Sequence, residues 1–126
     1  MIYTKSPPIG HEISCVMYGI PASILNNSKK LKDILINALK KDNFTILNEI
    51  SYEFNPQGIS IIILLAESHA SIHTYPEYNS LHFNIYSCRG RGDCKKTFEV
   101  LKKALHPSSI DFNERDVIIN KSFTSS

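Results

Sequence analysis

Residues 59–88 read ISIIILLAESHASIHTYPEYNSLHFNIYSC, and their alternation decides the architecture. Strands are expected over Ile59–Glu67, Ala70–Thr74 and Leu81–Cys88, rich in Ile, Tyr, Phe and Thr, with Pro-Glu-Tyr-Asn-Ser as the turn before the last. Loops this short join antiparallel neighbours. In Leu81–Cys88, Leu81, Phe83 and Ile85 share one face, while His82, Asn84, Tyr86 and Cys88 share the other. Ala70 and Ile72 likewise oppose His69, Ser71 and His73. One face is apolar; the other gathers histidines, serines, a tyrosine and a cysteine. A merely solvated face would carry the same alternation.

Working outward, Thr45–Phe54, Ser109–Ile119 and Ile13–Tyr18 extend the sheet to six strands. Over Lys29–Lys41 the residues Leu31, Ile34, Leu35, Ala38 and Leu39 form one apolar stripe on a lysine-rich helix, with Asn27 or Ser28 as N-cap. Over Cys94–Leu105 the positions Thr97, Phe98, Val100, Leu101, Ala104 and Leu105 repeat the pattern until Pro107 stops it. Each helix has one dry face that must lie on something else, and the sheet supplies it. The expected fold is α+β: a two-layer sandwich, mainly antiparallel sheet, with two helices packed on one face. No repeat or linker divides residues 1–126, so a single domain is expected, with Asn120–Ser126 as a loose tail.

The composition agrees with a single packed core, at 126 residues, 42% hydrophobic and 21% charged. A net charge of +2 from scattered basic residues argues against a nucleic-acid partner. No apolar run exceeds Ile61–Ala66 by enough to span a membrane, and Met1–Gly10 shows no signal peptide, so a soluble cytoplasmic protein is expected. The three cysteines, Cys15, Cys88 and Cys94, show no CxxC spacing and are expected as free thiols. The lysines of the first helix read as its solvated face. Arg91-Gly92-Asp93 spells an adhesion tripeptide by coincidence.

The segment Glu67-Ser-His-Ala-Ser-Ile-His73 interrupts an apolar strand with reactive side chains. A serine hydrolase would need a Gly-x-Ser-x-Gly elbow, and neither glycine is present. A metal site from His69 and His73 with Glu67 or Glu77 is disfavoured, because i and i+4 lie about 13 Å apart on a strand. No metal is expected.

Glu67-Ser-His-Ala-Ser-Ile-His-Thr-Tyr-Pro-Glu77, with Phe54-Asn-Pro-Gln-Gly-Ile-Ser60 before it and Ile85-Tyr-Ser-Cys88 after it, resembles the short prokaryotic S-adenosylmethionine decarboxylase proenzymes. That resemblance implies self-cleavage between Glu67 and Ser68 into a β chain, 1–67, and an α chain, 68–126. Ser68 would attack the Glu67 carbonyl and end as a covalent pyruvoyl group, the cofactor that forms a Schiff base with substrate. By the same resemblance His73 is the proton acceptor in processing and Ser60 assists it. Cys88 is the proton donor in decarboxylation; a thiol suits this, being mostly protonated at neutral pH. Phe54 and Glu77 bind substrate, through adenine stacking and the ribose hydroxyls. Cys15 and Cys94 are left as structural. The implied product is the aminopropyl donor for spermidine synthesis, and the implied assembly is a homodimer of processed αβ units that covers the reactive sheet face.

Several positions depart from the family pattern. Asn79-Ser80-Leu81-His82 stands where Gly-Tyr and two small residues are expected, Asn84 and Val16 where acids are usual, and Tyr75 where tryptophan is frequent. The loop Arg89-Gly-Arg-Gly-Asp-Cys94 lacks a common proline. None removes a processing or decarboxylating group. They keep open two alternatives, a pyruvoyl arginine or ornithine decarboxylase and an unprocessed regulatory homologue. The roles of His69 and His82 are likewise open.

Overall fold

The computed structural model describes residues 7–124. Six strands and three helices follow in the order β1 (Ile9–Tyr18), α1 (Ala22–Leu25), α2 (Ser28–Lys41), β2 (Ile46–Glu53), β3 (Ile59–Leu65), β4 (Ser68–Tyr75), β5 (Ser80–Ser87), α3 (Lys95–Leu105) and β6 (Ser109–Ile118). The strands form one sheet in the order β2-β3-β4-β5-β1-β6, and every neighbouring pair is antiparallel. The expected α+β sandwich is therefore the fold. Three details differ. β1 starts at Ile9, four residues before the apolar alternation becomes visible at Ile13. The short α1 had no periodicity to reveal it. The expected tail contains a 3₁₀ turn at Lys121–Thr124, and Ser125 and Ser126 lie outside the described residues.

One face of the sheet is dry. Ile13, Cys15 and Met17, then Ile61, Ile63 and Leu65, then Ala70 and Ile72, then Leu81, Phe83 and Ile85 are all buried against the helices. The α2 stripe supplies Leu31, Leu35, Ala38 and Leu39, and α3 supplies Phe98, Leu101 and Leu105. Asn27 caps α2 by accepting the Lys30 N–H at 3.1 Å. The α3 start has no cap of its own, because Cys94 sits there at φ 76°. Asp42, just past α2, substitutes: its Oδ2 accepts the Thr97 N–H at 2.9 Å and the Thr97 hydroxyl at 2.8 Å.

Among the described residues the opposite face carries no helix. Ser60, Ile62, Leu64, His69, Ser71, His73, His82, Asn84, Tyr86 and Ser14 stand on it, as the strand period requires. Ile62 and Leu64 are 46% and 53% exposed, and Ile50 and Tyr52 on β2 continue the apolar patch.

Candidate active site

β3 and β4 form a hairpin whose last register pair is Leu65 with Ser68. Only Ala66 and Glu67 connect them, and Glu67 takes φ 59°. A side chain in the left-handed region is strained, by about 1 kcal/mol or more. The strained residue donates the carbonyl of the Glu67–Ser68 bond.

Ser68, only 5% exposed, accepts the Cys88 backbone N–H on its Oγ at 3.1 Å. That bond comes from the pairing of β4 with β5, where His69 lies opposite Tyr86, so the end of β5 arrives beside Ser68. Glu67, Tyr86 and Cys88 line a cavity of about 520 Å³, together with Gly10 and Ile119. A methyl group at Gly10 would meet the Tyr86 hydroxyl at 3.0 Å and the Ser87 carbonyl at 2.5 Å, so glycine is needed there. Burial, then the neighbouring Cys88 thiol and Glu12, push the Tyr86 phenol up, and it stays protonated. The His69 ring packs on Tyr86 at 6.0 Å.

Ser60 and His73 are also paired, directly across β3 and β4, with Ser60 Oγ 2.7 Å from His73 Nδ1. His82 lies opposite His73 on β5, their ring centroids 6.4 Å apart, and its Nε2 sits 3.1 Å from Ser14 Oγ. Burial, then the proximity of His73, lower the His82 pKa. Phe54 and Glu77 belong to the same end of the sheet. Phe54 is 52% exposed and packs on Tyr52 at 4.9 Å, and the Glu77 carboxylate accepts from Gln57 Nε2 at 3.5 Å.

The residues singled out in the sequence thus fall into two clusters. Glu67, Ser68 and Cys88 meet at one end of the β3–β4 hairpin; Ser60, His73, Phe54 and Glu77 gather at the other. The two clusters are five register steps apart, about 16 Å at ~3.3 Å per residue. Within one copy, His73 does not reach Ser68. Cys15 and Cys94 are buried, Cys94 against the Ser87 hydroxyl, and burial pushes each thiol up to about 12. Among the described residues no group of three or more His, Cys, Asp or Glu side chains is arranged to hold a metal ion. Among the same residues no helix is long and apolar enough to cross a membrane. The alternation placed Tyr86 on the polar face without giving it a role, and sequence reasoning missed Ser14, Arg89 and Asp42.

Residues 11–116 match the family model described as S-adenosylmethionine decarboxylase. The chain belongs to that family. The S-adenosylmethionine decarboxylase proenzyme of Picrophilus torridus is 35% identical over 108 residues, covering 86% of this chain and 83% of its own. The proenzyme of Sulfurihydrogenibium sp. is 35% identical over 112 residues, covering 87% and 84%. The crystal structure of the adenosylmethionine decarboxylase from Aquifex aeolicus superposes with a TM-score of 0.83 at 27% identity, over 94% of this chain and 96% of that one. As a member of this family the chain is a decarboxylase, a carboxy-lyase. The relatives reported carry the S-adenosylmethionine name, and the arginine, ornithine and regulatory alternatives gain no support from them.

Proposed function

We propose that the chain cleaves itself between Glu67 and Ser68 and then decarboxylates S-adenosylmethionine, supplying aminopropyl groups for spermidine synthesis. The observation that carries this reading is the buried Ser68 hydroxyl, oriented by the Cys88 N–H, beside the strained Glu67 peptide. The Ser68 oxygen attacks the Glu67 carbonyl carbon, the C–N bond breaks, and an ester links the two residues. A base removes the Ser68 α-proton, the Cβ–O bond breaks, and Glu67 leaves as a free carboxylate. Water converts the resulting dehydroalanine into a pyruvoyl terminus and releases ammonia. The residues present fit that group: its site is buried, has a backbone donor, and adjoins a cavity lined by Glu67 and Cys88. A pyruvoyl carbonyl there supplies the electron sink for loss of carbon dioxide. Cys88, lining the same cavity, holds the proton that returns to the substrate α-carbon.

The base is His73, oriented by Ser60, and it comes from a second copy. A two-fold axis between open faces lays one hairpin antiparallel to the other, bringing one copy's Ser60 and His73 to the other's Ser68. Phe54 and Glu77 travel with them and serve the substrate adenosine. The same contact covers the apolar patch formed by Ile50, Tyr52, Ile62 and Leu64. Free thiols fit a cytoplasmic setting.

Intact mass under denaturing conditions tests the reading. Two fragments, 1–67 and 68–126, are expected, the second carrying a ketone in place of its terminal amine. A single uncut chain with no release of carbon dioxide from S-adenosylmethionine would overturn it.

A further inference from the structure

Cys88 is held from both sides along the chain. On one side Ser87, fully buried, donates its hydroxyl to Asp93 Oδ2 and accepts the Arg89 backbone N–H at 3.0 Å. On the other, Arg89 donates Nε and Nη2 to the two Asp93 oxygens at 2.6 and 3.0 Å. The same guanidinium reaches out of the loop to Asp42, with Nη1 on its carbonyl at 2.7 Å and Nη2 on its carboxylate at 3.0 Å. It also lies 3.6 Å from the centre of the Phe44 ring. Burial would raise the Asp93 carboxyl, but hydrogen bonds from Arg89 and Ser87 outweigh it and hold it below the usual range. Burial would lower the Arg89 guanidinium, but bonds to Asp93 outweigh that too. Both groups stay charged. Since Asp42 also caps α3 through Thr97, the clamp ties the loop after β5 to the adjoining ends of both long helices.

An isolated surface ion pair contributes little, whereas this fork makes four hydrogen bonds and a ring contact from the one residue that follows Cys88. Cys88 itself presents its amide to the Ser68 hydroxyl and its thiol to the cavity. We infer that Arg89 is a positioning residue for both steps: its clamp aims the Cys88 N–H at Ser68 before cleavage and holds the Cys88 thiol at the substrate carbon afterwards. The inference rests on the roles proposed for Ser68 and Cys88.

Three variants test it: Arg89→Gln, Arg89→Lys and Thr97→Val. The last removes a hydroxyl bond to Asp42 but leaves the Arg89 fork intact. Cleavage at Glu67–Ser68 is followed by mass after cell-free synthesis. Amide hydrogen exchange at Cys88 is followed in a His73→Ala chain, which retains Ser68. Arg89→Gln is expected to slow cleavage and speed Cys88 exchange by about tenfold or more, the effect of losing charge-assisted bonds. Arg89→Lys should not rescue either, since one ammonium cannot reproduce a planar fork. Once cleaved, the Arg89 variants should lose kcat with KM little changed. Thr97→Val should lower Tm yet cleave at the wild-type rate. If cleavage and exchange simply follow Tm across all three variants, Arg89 is an ordinary structural ion pair and the inference fails. An uncut wild-type chain would overturn the self-cleavage reading, and the inference with it; in a wild-type chain that cuts itself, Arg89 variants with wild-type cleavage and unchanged Cys88 exchange would overturn the inference alone.

Discussion

Ser68 and Cys88, twenty positions apart in the chain, meet through a single bond from the Cys88 amide to the Ser68 hydroxyl at 3.1 Å. Neither has Ser60 or His73 beside it, since those occupy the far end of the same hairpin. That separation shapes the first expectation, which concerns mixed assemblies.

Expressed alone, Ser68→Ala and His73→Ala chains should both stay uncut. Expressed together, they form mixed pairs in which the intact Ser68 of one chain meets the intact His73 of the other. Up to about half of the His73→Ala chains should then be cleaved, from random pairing of equal amounts, while no Ser68→Ala chain is. Mass spectrometry of the mixture reads this directly. Absence of any cleaved His73→Ala chain would show that one copy works alone.

Glu67 is held at φ 59° beside the bond to be broken. Glycine adopts that conformation without strain, so Glu67→Gly in an uncleavable Ser68→Ala chain should raise stability by roughly 0.5–1 kcal/mol in urea melts. With Ser68 present, the same change should slow cleavage several-fold, because the ground state is relaxed. Cleavage at the wild-type rate would remove strain from the mechanism.

Burial pushes Cys15 and Cys94 up to about 12, with Asp111 and Asp93 respectively adding to the shift. Cys88 opens on the cavity instead. A small alkylating reagent at neutral pH should therefore modify Cys88 in the native protein and all three cysteines only after denaturation. Peptide mapping checks the site. Native labelling of Cys15 or Cys94 would contradict their placement in the core.

Burial, then His73, lower the proton affinity of folded His82, whose unperturbed value is 6.5. Folding therefore favours the neutral ring. The associated stability is fully present above about 6.5 and is lost as the pH falls through the lowered folded-state value. Denaturant midpoints measured above and below about pH 6.5 should fall on acidification, and His82→Asn should flatten that slope. An equally steep decline in the variant would assign the pH dependence to another group.

The order of strands around β3–β5 was legible because each is short, β4 and β5 alternate cleanly, β3 is an apolar run, and each is joined to the next by a turn. α2 and α3 were legible for the same reason, as one apolar stripe at helical spacing. α1 was not, since one turn of helix held by its neighbours carries no period. The Arg89 clamp was also hidden. Its partner Asp42 lies 47 positions away, across four strands, and neither residue is unusual by itself. His82 looked like one more polar side chain, and only the register of β5 against β4 sets it against His73.

By itself the sequence determined which side chains are available and which face of each strand they occupy, because a strand's period of two is a local property of the backbone. The Glu67-Ser68 motif and its family resemblance belong to that level. What only the tertiary structure decided is which of those side chains meet. Strand register carries Cys88 to Ser68 and sets Ser60 against His73. The ~16 Å between His73 and Ser68 is local, five residues at ~3.3 Å along one strand; which residues stand across from one another is not, because it follows from pairing distant segments over a shared core.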